Sequence, residues 1–172
     1  MNPAEIENCM KTMTVLYDTR EHETPALRRR LKAMPCKHER RCLHSGDYSV
    51  CCELPDGSEF SLEGKVAIER KMSIDELCGN FTNGRQRFEN EFDRMKQAGG
   101  RMYIVVENAD WQKILGGRYR SRFNAKSLTA SLLVWCARYN AVPVFCTEYE
   151  APDLIYNILY YELREHLKNY EK

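Results

Sequence analysis

Four residues in the first half of the chain carry side chains suited to chemistry on a phosphate ester: Asp18, Asp47, Glu69 and Lys71. Hydrolysing a phosphodiester calls for a divalent cation that binds a nonbridging oxygen, acidifies a water and steadies the leaving oxygen. Such cations take hard oxygen ligands, so carboxylates must be gathered in one place. Asp18 closes the apolar run Val15-Leu16-Tyr17, Asp47 stands in the turn-like Gly46-Asp47-Tyr48, and Glu69 follows Val66-Ala67-Ile68. Strand ends of this kind let three acids converge. Within Glu69-Arg70-Lys71, alternation along a strand puts Glu69 and Lys71 on one side and Arg70 on the other. A metal ligand and a cation would then flank one phosphate, with Lys71 orienting or helping to deprotonate the attacking water and offsetting charge on a phosphorane-like centre. Singly these signals are weak, since a Gly-Asp pair is usually just a turn.

The elements that must position these residues follow from periodicity. Residues 1–13 lack a clear period and read as an arm, and the first strand runs through Val15 to Asp18. Thr24 and Pro25 supply an N-cap and a first-turn proline for a helix over 25–34 with Leu27, Leu31 and Met34 on one face. From Tyr48 to Lys71 the period becomes two, around a hairpin turn at Asp56-Gly57. Ser73 and Glu76 make a possible capping box before a longer helix whose Phe88, Phe92 and Met95 share a core face, stopped at Gly99-Gly100. Met102 to Val106 has the continuous apolar character of a central strand, with Glu107 and Asn108 at its end. Residues 116–126 contain Arg118, Arg120, Arg122 and Lys126 interleaved with Tyr119 and Phe123 and free of acids, which predicts a mobile basic loop that contacts DNA phosphates and bases. A helix bearing Leu128, Leu132, Trp135 and Tyr139, a strand over Val142 to Cys146 and a final helix over 152–169 complete an alternation that means α/β.

Taken together, the segments resemble a known family. Gly46-Asp47-Tyr48 followed by Glu69-Arg70-Lys71-Met72-Ser73-Ile74-Asp75 is similar to the GDxxx and ERKxxxD signature of the XPF-type structure-specific endonucleases. Asp18-Thr19-Arg20-Glu21 resembles that family's early acidic motif, and Asn83-Gly84-Arg85 its glycine-arginine step before a helix. The resemblance runs over about residues 14 to 150 and is most specific in residues 69–75. It implies a restriction-endonuclease-like α/β fold, a single domain with a central mixed sheet flanked by helices, and metal-dependent cutting of flap, fork or junction DNA. It also implies that Asp47 and Glu69 bind Mg²⁺ or Mn²⁺, and that Asp18 or Glu21 completes the site through water. Lys71 would act on the nucleophile, and Arg20, Arg70, Asp75 and Arg85 would support the motif. Members commonly form homodimers or heterodimers and carry a tandem helix-hairpin-helix module after the nuclease domain, some with a helicase before it. Neither is expected in these residues, which leaves substrate preference and partner open.

At 172 residues the chain suits one domain, an arm over 1–13 and a nuclease domain over 14–172. Its formal net charge of +1 gives no whole-protein field toward nucleic acid, so basic surface must be local, as along Arg28, Arg29 and Lys32. Eight cysteines without a signal-like segment predict free thiols in a reducing compartment, cytoplasmic or, in a eukaryote, nuclear. No apolar run approaches the roughly 20 residues of a membrane span, so a soluble protein is expected. Cys36, His38, Cys42 and His44 lack the CxxC spacing of a zinc site and read better as a strand leading to Gly46. Three alternatives stay open: a four-way-junction resolvase acting as a symmetric homodimer, a non-catalytic DNA-binding or scaffold subunit, and a nuclease that acts on RNA or on single strands generally.

Overall fold

A seven-stranded mixed sheet combines apolar central strands with two polar outer ones, β2 and β4: β1 (Thr14–Asp18), β2 (Lys37–Arg41), β3 (Tyr48–Glu53), β4 (Glu59–Ser61), β5 (Val66–Lys71), β6 (Arg101–Glu107) and β7 (Val142–Cys146). The computed structural model describes residues 1–170. The strand order is β2-β1-β3-β5-β6-β7, with β4 beside β3. β1 and β2 are parallel, as are β5, β6 and β7, while β3 runs antiparallel to β1 and β5. The helices are α1 (Pro3–Lys11), α2 (Pro25–Ala33), α3 (Ile74–Phe81), α4 (Arg85–Gln97), α5 (Trp111–Leu115), α6 (Ala125–Tyr139) and α7 (Ala151–Lys168).

Each sheet face is covered by its own helices. Val15, Val50, Ile68 and Val105 pack with Leu31 of α2 and with Ile155, Leu159, Leu163 and Leu167 of α7. On the other face Ala67, Ile104 and Val106 pack with Phe81 of α3, Phe88 and Phe92 of α4, and Trp135 of α6. Phe88 stacks on Trp135 at 4.7 Å between ring centres, and Phe92 meets the same ring edge-on. This layered packing of helices on both faces of a mixed sheet is what the alternation of element types led us to expect.

The structure departs from the sequence pattern in three places. Residues 3–11 are helical: the Asn2 side chain accepts from the Glu5 N–H while the Glu5 carboxylate accepts from the Asn2 N–H, and Pro3 opens the first turn. Only Ile6 and Cys9 of α1 are buried, too few to set a visible period. The helix expected after Ser73 is two helices, because residues 82–84 leave the α3 axis before α4 starts. The short α5, capped by Asp110 through the Lys113 N–H, has no counterpart in the expectations drawn from sequence. Among the described residues no helix is long and apolar enough to cross a membrane.

Candidate active site

The site forms where β3 enters the sheet between β1 and β5. Gly46 has φ +72°, and a Cβ there would lie 2.9 Å from the Ile68 carbonyl oxygen and 3.0 Å from the Ala67 Cβ. Glycine satisfies both the left-handed backbone and the close approach. The next residue then bridges two strands: the Asp47 N–H donates to Ile68 O at 2.7 Å, and the Asp18 N–H donates to Asp47 O at 2.9 Å. The Asp47 carboxylate in turn accepts from the Arg70 N–H at 2.7 Å, fixing it beside Glu69.

Strand alternation sorts the Glu69-Arg70-Lys71 segment as its residue types suggested. Glu69 and Lys71 share the face of Ala67 and are both buried, with the Lys71 ammonium donating to Glu69 at 2.6 Å. The ammonium also stands 3.9 Å from Glu76 and 5.4 Å from the centre of the Phe88 ring. Arg70 points to the opposite face, where its guanidinium grips Glu107 with two bonds of 2.6 and 2.7 Å.

The electrostatics of the cluster are those of crowded carboxylates short of positive charge. Burial and the neighbouring Glu69 push the Asp47 carboxyl well above the ordinary carboxylate range, against the pull of Lys71 and the Arg70 N–H. Burial also raises Glu69; Lys71 opposes this and Glu91 adds to it. Burial works against the charge of Lys71, but Glu69 and Asp47 outweigh it and hold its pKa above the usual lysine value. A cation brought to Asp47 and Glu69 would relieve the strain of two negative charges in a desolvated space.

Other residues singled out in the sequence take distinct places. Asp18 is buried and both its oxygens are engaged: one accepts from the Arg20 N–H and Nε at 2.7 and 2.6 Å, the other from the Leu43 N–H at 2.8 Å. Although burial opposes its charge, these bonds hold its pKa below the ordinary value. These three bonds leave one lone-pair direction on the oxygen that accepts from Leu43, through which Asp18 can reach a cation directly or through water. Arg20 bridges Asp18 and Glu91, the latter at 3.3 Å. Glu21 is half-buried, 4.0 Å from Arg30, and adds to the negative field at Asp47. Arg85 is exposed at the start of α4, and no contact joins it to the carboxylates among the described residues.

Asp75 organises the basic loop. Its carboxylate accepts from the Ser121 N–H at 2.6 Å and lies 3.6 Å from Arg120, tying the loop to the turn that follows Lys71. Along the loop the arginines point out and the aromatics in: Arg118, Arg120 and Arg122 are exposed, while Tyr119 and Phe123 are partly buried against the α3, α4 and α6 core. The aromatics anchor the loop, which differs from the base-stacking role expected for them. Lys126 is exposed in the first turn of α6. Cys36, His38, Cys42 and His44 do not converge: His44 pairs with Glu63 at 2.9 Å and His38 lies beside Tyr17. All eight cysteines are free thiols.

Glu91 was missed in the sequence. It is buried on α4 one residue before Phe92, and it faces both Arg20 and Glu69. An acid placed inside the Phe88, Phe92, Met95 stripe was the available signal, because an unpaired charge is rarely kept on a core face.

A mixed sheet sandwiched by helices is the restriction-endonuclease-like α/β fold. The family model described as the ERCC4 domain matches residues 17–167, and the chain belongs to that family, with a nuclease domain of the XPF type. Among solved structures, XPF from Aeropyrum pernix matches with a TM-score of 0.61 at 20% identity, over 87% of this chain and 61% of that one. XPF from Aeropyrum pernix in complex with DNA matches with a TM-score of 0.58 at 21% identity, over 92% of this chain and 67% of that one. The chain thus spans less than two thirds of the first of these structures. No curated protein matches.

Proposed function

We propose that this protein is a divalent-metal-dependent endonuclease that cuts DNA at branches such as flaps, forks or junctions. The observation that carries the proposal is the pair of neighbouring carboxylates, partly exposed Asp47 held by the Arg70 N–H and buried Glu69 bonded to the Lys71 ammonium, both pushed above their ordinary range. Among the described residues no three His, Cys, Asp or Glu side chains form a ready-made metal cluster. Two carboxylates still suit Mg²⁺ or Mn²⁺, because Mg²⁺ is commonly held by one or two carboxylates, with waters and substrate phosphate oxygens filling the remaining positions. When bound, such a cation supplies Lewis acidity to the phosphate and a more acidic water.

The chain's own residues do the rest. Asp47, held by the Arg70 N–H, and Glu69, held by Lys71, fix the negative pocket in which that cation would be gripped. Lys71 keeps its proton at neutral pH, which suits it to neutralise charge on the reacting phosphate and to orient a water rather than to act as a neutral base. Arg20 holds buried Asp18 and Glu91 beside the pair, and Asp18 or Glu21 would complete the site through water. Arg118, Arg120, Arg122 and Lys126 offer exposed cations to the DNA backbone, in keeping with an XPF structure that is a complex with DNA.

The test is cleavage of labelled duplex, 3′-flap, fork and four-way-junction DNA with Mg²⁺, Mn²⁺ or EDTA, with an RNA copy of each substrate. Cutting near the branch that needs metal and is lost in Lys71→Ala is the expected result. Paired symmetric nicks across a four-way junction would assign a homodimeric resolvase. DNA binding with no cutting under any condition would assign a scaffold.

A further inference from the structure

Behind the candidate active site, on the opposite face of β5, lies a cleft of about 520 Å³ between α2 and the turn that leads from β7 into α7. Arg29, Arg30, Arg70, Met72, Asn108 and Tyr149 line it. Its floor is a buried charge network: Arg30 donates to the Tyr48 hydroxyl at 2.7 Å and stands 3.7 Å from Glu107, which Arg70 already grips with two bonds. Two guanidiniums thus share one buried carboxylate, with Glu21 a further 4.0 Å from Arg30. On the rim Arg29 is exposed and has no hydrogen-bond or ion-pair partner among the described residues, while Glu148 supplies one opposing charge.

The rim also leaves apolar surface in water. The Tyr149 side chain is 83% exposed and Met72 is 59% exposed, both at the mouth of this cleft. Asn108, next to Glu107, has φ +55°, the left-handed turn conformation that asparagine readily adopts. Arg70 joins the cleft to the carboxylates: its N–H holds Asp47 at 2.7 Å while its guanidinium forms the cleft wall. A cleft of this volume is of the size that takes a small ligand such as one nucleotide, and an exposed aromatic beside one exposed, unpaired arginine is a pairing suited to single-stranded nucleic acid.

We propose that this cleft receives an unpaired nucleotide of a DNA strand leaving the cutting centre. Its base lies against Tyr149 and Met72, and its phosphate on Arg29. The proposal rests on the assignment of Asp47 and Glu69 as that centre, but its test does not use cleavage.

The full chain in EDTA is titrated into fluorescent oligothymidylate, a blunt duplex and free thymidine monophosphate, for wild type, Tyr149→Ala and Arg29→Ala. Both side chains are exposed, so neither substitution threatens folding. Tyr149→Ala is expected to weaken oligothymidylate binding about tenfold, as for loss of one stacked base. Arg29→Ala is expected to weaken it and flatten its salt dependence. Duplex affinity stays unchanged in both. A 2-aminopurine placed in the oligonucleotide should be quenched by wild type and not by Tyr149→Ala. Undiminished oligonucleotide binding in Tyr149→Ala, an equal loss on duplex, or free nucleotide bound as tightly as the strand would each overturn the assignment. Should Asp47→Ala still cut DNA, the nuclease proposal fails while these binding results stand by themselves.

Discussion

Substituting Gly46 by alanine separates what the backbone needs from what the neighbouring strand forbids. A side chain in the left-handed region costs about 1–2 kcal/mol, and the narrower unfolded ensemble of alanine returns roughly 0.4–1 kcal/mol. The new Cβ would also stand 2.9 Å from the Ile68 carbonyl oxygen, which belongs to β5 and cannot swing aside. Overpacking of that kind costs about 1–3 kcal/mol, so the net loss is about 3 kcal/mol. For a chain of this length that lowers Tm by about 6–12 °C. Gly57 is the internal control, with φ +81° and nothing within 4 Å of its Cβ position, so Gly57→Ala should lose only about 1 kcal/mol. Urea unfolding followed by tryptophan fluorescence measures both, since Trp135 is fully buried, and the slope against urea should not change. Equal losses in the two variants would refute the close approach of the Gly46 backbone to β5. Because the displaced backbone carries Asp47, Gly46→Ala is also expected to lose cleavage under conditions where it remains folded.

The metal-free protein should lose stability as pH rises through the raised pKa values of Asp47 and Glu69, because the folded state holds protons that the unfolded chain has released. Asp47→Asn should therefore raise Tm at neutral pH and not in acid, and should abolish the rise in Tm that Mg²⁺ gives wild type; calorimetry across pH checks both. Asp18 works in the opposite sense: its lowered pKa contributes stability above the ordinary carboxylate pKa that is lost as pH falls through the folded value, so Asp18→Asn should be most damaging at neutral pH. Glu107→Ala strands the buried guanidiniums of Arg30 and Arg70 and should lower unfolding stability by about 3–5 kcal/mol. Replacing Arg118, Arg120, Arg122 and Lys126 together with alanine should weaken DNA binding and reduce the slope of log affinity against log salt by about 3–4, if each meets one phosphate.

The parts of the site that were legible in the sequence are those set by local geometry. Period-two alternation places Glu69 and Lys71 together without knowledge of the fold, and the glycine before Asp47 marks a turn wherever it lies. What was hidden depends on packing between distant segments. Glu91 reaches Glu69 only because Phe88 and Phe92 dock α4 on β5 and β6, and Asp18 bonds to Leu43 only because β2 returns beside β1. The helix α1 was invisible as a period but had left a cap signal in Asn2 and Glu5. The basic loop was visible as charge, whereas its anchoring through Asp75 to Ser121 and through Tyr119 and Phe123 to the core was not.

The most direct test of the central claim compares wild type and Asp47→Ala on branched DNA, in Mg²⁺ and in EDTA, with folding of the variant verified by its unfolding curve. Metal-dependent cutting near the branch by wild type, and none by a folded Asp47→Ala, is the result expected from two carboxylates that need a cation. Cutting by the folded variant, or equal cutting in EDTA, would contradict it.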